Sequence, residues 1–361
     1  MAPPVPGFKL NENGIPNFED LPLRKTDPHY SAWGLYGDKD ELGTLNRLTD
    51  ERVAAAARNE IKTGHRISLN WPLNAQPEKS FFQRHVFTQS LIRKAPRVVN
   101  DDVWTFNSQV STQWDGLRHY AYQREARFYN GVTMEDIHGV GEDGGRSTVN
   151  GIHAWAEQGI VGRGVLVDYH SWRLAQPAAN LKPYDPFKSD AIPLEDLQAC
   201  LAAQGTEVKF GFTATYPQKT DAELAAYKSV VPHHFGGVER SEALLRWIWE
   251  HFSAVAGDQP SCTSPTPTPT PTPASFFPLP FILRLLTNSP SVESWPAPPE
   301  SPHILHEILL SGWGCPIGEL FDLEKLAAHS AAHRRWSFFV VSEPCNVPGG
   351  VASPPNILAI F

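Results

Sequence analysis

The densest run of chemistry-bearing side chains is Gln109-Val110-Ser111-Thr112-Gln113-Trp114-Asp115-Gly116-Leu117-Arg118-His119. Gln109, Gln113 and Asp115 are separated by even steps, so on a strand they would leave one face and bring three oxygen-bearing groups together. His119 stands four residues past Asp115 and beyond a glycine, where the chain can turn it back toward the same pocket. A carboxylate beside an imidazole fixes the ring's tautomer and raises its basicity, which general acid–base catalysis near neutral pH requires. An Asp and a His at this spacing also arise by chance, so the pair needs support from the rest of the chain.

The elements that must position this run are interleaved helices and strands. Thr49 can cap a helix opening Asp50-Glu51, whose acids suit the positive end of the helix dipole; it runs through Val53, Ala54 and Ala57 to a stop at Gly64. Arg66 to Trp71 alternates polar and apolar residues as a half-buried strand does. Gly164 to Asp168 and Trp336 to Val341 read as buried strands. Leu194, Leu197 and Leu201 share a helix face before Gly205, and Leu244, Leu245, Ile248 and Phe252 share another. This interleaving predicts an α/β fold. Residues 1–32, rich in Pro, Asn and charge, suit an extended N-terminal arm, leaving 33–361 as a single catalytic domain. The segment 262–291 interrupts it: Thr and Pro alternate from Thr263 to Pro273, which forbids both helix and ladder. It reads either as a linker or as a translated intron, because Gln259-Pro260-Ser261 is echoed by Ser289-Pro290-Ser291 and its deletion would join Ser261 directly to Val292.

With 361 residues, 41% of them hydrophobic, the chain can bury a large core without a disulfide or metal staple. A net charge of −8, from 39 acidic and 31 basic residues, argues against nucleic acid as a partner. No apolar run approaches membrane-spanning length and Met1 to Pro6 has no signal-peptide character, so the expected location is cytoplasmic, with no membrane partner. Cys200, Cys262, Cys315 and Cys345 lack metal or disulfide spacing and read as reduced thiols. Gly139 to Gly145 looks superficially like a nucleotide loop, but it has no preceding strand and its Glu142 and Asp143 would repel phosphate.

The 109–119 run resembles the H-x-G-T-H-x-D-x-P-x-H motif of the cyclase-like metal-dependent hydrolases, the group of the kynurenine formamidases and other arylformamidases. Thr112, Asp115 and His119 are in register with the motif's Thr, Asp and last His. Similar segments include Ser31-Ala32-Trp33-Gly34, Glu41 to Asn46, Arg163 to Asp168, Ala256 to Ser261 and Asn346 to Gly350, so the resemblance covers nearly the whole chain outside the insert. Gln109 and Gln113 stand where the motif has metal-binding histidines, and Ser111 stands for its Gly, which would place the chain in a fungal-type branch. A buried strand typical of the family is expected to be missing around Val208 to Tyr216.

The resemblance implies a swivelling β/β/α fold, with a mixed sheet and small barrel flanked by helices, assembled as a homodimer or homotetramer. It implies a small-molecule hydrolase that opens the C–N bond of an N-formyl aryl amine, as in tryptophan to kynurenine catabolism, or of a cyclic amide. A lactone or ester hydrolase, a ring-closing enzyme of secondary metabolism, and a non-catalytic small-molecule binding protein are the alternatives. Asp115 and His119 would be catalytic, with His119 moving the proton. Asp115, His306 and Glu319 would hold a divalent metal, with Gln109 and Gln113 as weak amide ligands, a set that suits Mn2+ or Mg2+ better than Zn2+. Gln109, Gln113 and Arg118 are the expected oxyanion donors. His153, at an expected helix start, and the His233-His234 pair are further candidates for touching substrate.

Overall fold

The strands, in chain order, are β1 Arg66–Ser68, β2 Thr88–Arg93, β3 Asn100–Thr105, β4 Gln113–Asp115, β5 Ile160–Leu166, β6 Ala191–Ile192, β7 Gly237–Val238, β8 Val255–Asp258, β9 Ile282–Arg284, β10 Ile317–Phe321, β11 Ser337–Ser342, β12 Ala352–Ser353 and β13 Ile357–Ile360. They come from a computed structural model that describes residues 2–141, 144–177, 184, 188–206, 234–258, 282–284, 292–294, 296 and 301–361. Val208 to Tyr216, His233, Cys262 and, apart from 282–284, the 262–291 segment lie outside the described residues.

Two mixed sheets dominate. The larger has the order β1-β13-β11-β5-β9, antiparallel except for the β5–β9 pair. Its centre is the apolar β11, whose Phe338 and Val340 are fully buried. The smaller has the order β12-β4-β10-β8, with β10 antiparallel to β4 and parallel to β8. An isolated bridge from Asn70 to Phe321 links the two. Among the described residues neither sheet closes on itself, so open sheets stand where a small barrel was expected.

The expected helices form, each with an identifiable end. Asp50–Glu60 stops short of Gly64 because the amides of Thr63 and Gly64 both donate to the Phe361 carbonyl, at 2.9 and 2.7 Å, and carry the chain into β1. Leu194–Gln204 ends at Gly205, which takes the left-handed conformation. Glu242–His251 starts at Ser241, whose hydroxyl accepts from the Leu244 amide at 3.1 Å. A π-helical segment, Glu307–Trp313, follows His306 directly and has the i to i+5 geometry often met at functional sites.

Residues before Ala32 are fastened to this segment and its neighbours. Ile15, Phe18 and Leu21 join the main core, and Trp249 Nε1 donates to the Pro16 carbonyl at 2.8 Å. Trp33 Nε1 donates to the Ser311 carbonyl at 2.6 Å, and Trp313 Nε1 to that of Tyr30 at 2.7 Å. By contrast, β2 and β3 form a two-stranded ribbon exposed along both strands. No helix among the described residues is long and apolar enough to cross a membrane.

Candidate active site

Strand alternation sets the site's first wall. On β4, Trp114 points into the core, where its Nε1 donates to Ser342 Oγ at 2.9 Å, so Gln113 and Asp115 face the other way. On β10, Glu319 lies directly opposite Gln113 and Ile317 opposite Asp115. The registers put two fully or nearly buried carboxylates, Asp115 and Glu319, on one face. Beyond Glu319 the β10–β8 register shifts and Leu320 takes φ +58°, a conformation an unstrained Leu avoids. Thr112 pins this bulge: its hydroxyl donates to the Leu320 carbonyl and accepts from the Trp71 amide.

Gln109 reaches the same place by another route than the expected strand. β4 covers only residues 113–115, and Gln109 lies in the preceding turn, its carbonyl held by Arg84 Nη1 at 2.9 Å. Its side-chain amide donates to Asp115 Oδ1 at 2.7 Å and lies 3.1 Å from His119 Nδ1. The Gln113 amide donates to Glu319 Oε2 at 3.3 Å and approaches Asp115 Oδ1 at 3.4 Å. Both glutamines thus turn their NH2 groups toward carboxylates, which leaves Gln113 Oε1 and Asp115 Oδ2 buried without a hydrogen-bond partner.

The turn after Asp115 brings His119 back, its Nε2 3.9 Å from Asp115 Oδ2. His306 enters from the start of the π-helical segment, Nε2 3.6 Å from Glu319 Oε1 and Nδ1 2.7 Å from Glu293 Oε1. Asp115, His119 and His306 each offer a ligand atom within 4.8 Å of the others, the one such group among the described residues. Glu319, expected in the inner ligand set, stands one step behind it, beside His306 and Gln113. Tyr120 adds an aromatic ring beside the two histidines, its centroid 5.5 Å from that of His306 and 6.3 Å from that of His119.

The electrostatics are set by burial and by the excess of carboxylates. Burial lowers the His119 pKa; Asp115 opposes this, while His306 and Arg84 add to it. Burial acts the same way on His306, but the hydrogen bonds and charges of Glu293 and Glu319 outweigh it and push the ring up to about 10. Glu319 is raised by burial, and the Asp115 charge adds to the shift. Burial likewise holds the Tyr120 phenol up at about 12, so it stays a hydrogen-bond donor. A divalent cation fits here: two orphaned buried oxygens, the His306 imidazole and surplus negative charge are what it would satisfy.

Other expected participants are placed elsewhere. Arg118 spends its guanidinium on three backbone carbonyls, those of Val149, Gly349 and Ser147 at 2.5, 2.8 and 2.9 Å, and has no hydrogen bond to the Asp115 cluster. It braces the loop that carries Gly349 instead of offering an oxyanion donor. His153 does open a short helix, His153–Ala156, but its Nδ1 meets the Gly349 amide at 3.4 Å, not the histidine pair. His234 pairs with Ser189 Oγ at 2.9 Å in an exposed position. Sequence reasoning missed Glu293, Arg84 and Tyr120. Tyr120 adjoins His119 and was within reach of the motif; the other two meet the site only through the fold.

No protein-family model matches this sequence, and no curated protein matches it. Solved structures do. One described as a novel cyclase is 26% identical, with a TM-score of 0.65 over 92% of this chain and 99% of that one. More distant likenesses include isatin hydrolase A from Labrenzia aggregata bound to benzyl benzoate, at 14% identity, 88% and 98% coverage and a TM-score of 0.47. Isatin hydrolase A from Ralstonia solanacearum is 15% identical over 87% and 98%, with a TM-score of 0.42. Over nearly its whole length the chain is similar in fold to that solved cyclase.

Proposed function

We propose that this chain is a cyclase-type hydrolase that opens a C–N bond, either in an N-formyl aryl amine or in a cyclic amide. The observation that carries the reading is the convergence of Asp115, His119 and His306, with Asp115 Oδ2 buried and unpartnered. A divalent cation held there by Asp115 and His306, with Gln113 Oε1 and Glu319 at its margin and His119 left free beside it, would polarise a carbonyl and acidify water. The protein's own groups then do the rest. His119, neutral near pH 7, takes a proton from the attacking water and returns one to the leaving nitrogen. Gln109 holds Asp115 and His119 at a fixed separation by contacting both. Tyr120 presents a flat, half-buried ring against which an aryl group would lie, and its protonated phenol offers a donor to the opened product.

The test is turnover of N-formylkynurenine and of a cyclic imide by protein stripped with chelator, then resupplied with Mn2+, Mg2+ or Zn2+. Turnover restored by one of the ions is expected. If no formamide, cyclic amide or lactone reacts with any ion, the hydrolase reading fails. One observation favours the binding-protein alternative: the Gln109 and Gln113 amides already hydrogen-bond the carboxylates. Tight binding of aryl amides without turnover would select that alternative.

We further propose that the chain assembles with itself as a dimer or tetramer. The β2–β3 ribbon supports this, since Leu91, Val103 and Trp104 are 73%, 53% and 56% exposed on a two-stranded element that is marginal alone. Sedimentation should show a mass above that of one chain, falling to one chain for Leu91→Lys with Trp104→Lys. A monomeric wild type would overturn the proposal.

A further inference from the structure

Glu293 has no solvent-exposed surface, and its carboxylate contacts converge on one side chain and the backbone beside it. Oε1 accepts from His306 Nδ1 at 2.7 Å and from the His306 amide at 3.1 Å; Oε2 accepts from the Leu305 amide at 3.0 Å. Three donors at these distances offset much of the cost of desolvating a carboxylate. The two amide bonds also prevent the carboxylate from rotating, so the direction of its bond to the ring is fixed. The Glu293 backbone is anchored as well. It bridges in parallel to Val238, the Val238 amide donates to the Val292 carbonyl at 3.0 Å, and Gly237 packs so closely that a Cβ there would lie 2.3 Å from the Glu293 carbonyl carbon.

An imidazole can present either nitrogen to a ligand, and a ring flip swaps each nitrogen with a ring carbon. With Nδ1–H committed to Glu293, a flip would break a 2.7 Å charge-assisted bond and turn a C–H toward the carboxylate. We propose that Glu293 is the positioning residue of the centre: it locks the His306 ring so that Nε2 alone faces Asp115, His119 and Glu319. The proposal rests on reading that cluster as a cation site. The same carboxylate would make His306 a better donor, as a hydrogen-bonded carboxylate does for any histidine ligand.

Two variants separate this role from simple structural support. Glu293→Gln keeps one oxygen for the Nδ1 proton, whereas Glu293→Ala keeps none. Near-UV circular dichroism reports which of them retains native packing. In wild type, 15N-histidine NMR should show a downfield, slowly exchanging His306 Nδ1 proton that persists when Zn2+ is added. Chelator competition should show Zn2+ affinity about 10- to 100-fold weaker in the natively packed variants, with Gln closer to wild type than Ala. A natively packed variant with wild-type Zn2+ affinity would overturn the proposal, as would a wild-type His306 with no proton on Nδ1. If wild type binds no divalent ion, the cation reading falls by itself. The Nδ1 resonance, and its loss in Glu293→Ala, then decides the role of Glu293 alone.

Discussion

At His119, burial favours the neutral imidazole, and His306 and Arg84 strengthen the effect against Asp115. A base of this kind stays unprotonated further into acid than a free histidine. The acid limb of kcat/KM is therefore expected below the ordinary value of 6.5, measured on whichever substrate is turned over. His119→Ala should cost roughly 10^2- to 10^4-fold in kcat with an unchanged near-UV spectrum, as removal of a general base does. Asp115 and His119 were legible in the sequence because they are close in the chain and one glycine lets the turn bring them together. Arg118, next to His119, was misleading for the same reason: proximity in sequence says nothing of direction, and its guanidinium turns to the Val149 and Gly349 carbonyls. Glu293 could not be read at all, since its partner His306 is 13 residues away across a segment with no regular periodicity.

Among the elements, the long amphipathic helices and the apolar strand β11 were readable from periodicity, with ends within a few residues. The short strand β4, which carries Asp115, was not, because three residues carry too little pattern. What shapes β4 and β10 is local exception: the bulge at Leu320, the hydroxyl of Thr112 and the close meeting of two glycines. Gly314 ends the π-helical segment at φ +64°, and a Cβ there would lie 2.6 Å from Gly43 Cα. Gly314→Ala should therefore lower stability by about 1–3 kcal/mol in urea unfolding, the usual cost of forcing a side chain into that backbone region. It should also weaken cation binding, since the same segment begins at His306.

For the molecule as a whole, stability should depend on pH through a stack of imidazoles that shares no residue with the site. His329 lies between His65 and His333, ring centroids 4.3 and 4.0 Å away, and against Phe361. Burial first, then the charges of His333, His65 and Arg335, lower its pKa to about 4. The unfolded chain thus binds a proton that the folded chain refuses. The contribution is complete above pH 6.5 and is lost progressively as pH falls toward 4. The urea midpoint should drop across that window, and His329→Phe should flatten the slope. The neighbours of β4 have a different consequence, which concerns synthesis. Both strands that flank it, β10 and β12, come from the last part of the chain, and Gln113 and Glu319 are 206 residues apart. During translation, at roughly 5–20 residues per second, the strand bearing Asp115 therefore waits on the order of ten seconds or longer with neither edge paired. Its Trp114 lacks its native cover during that wait, which makes this strand a candidate for holding by a chaperone on the ribosome.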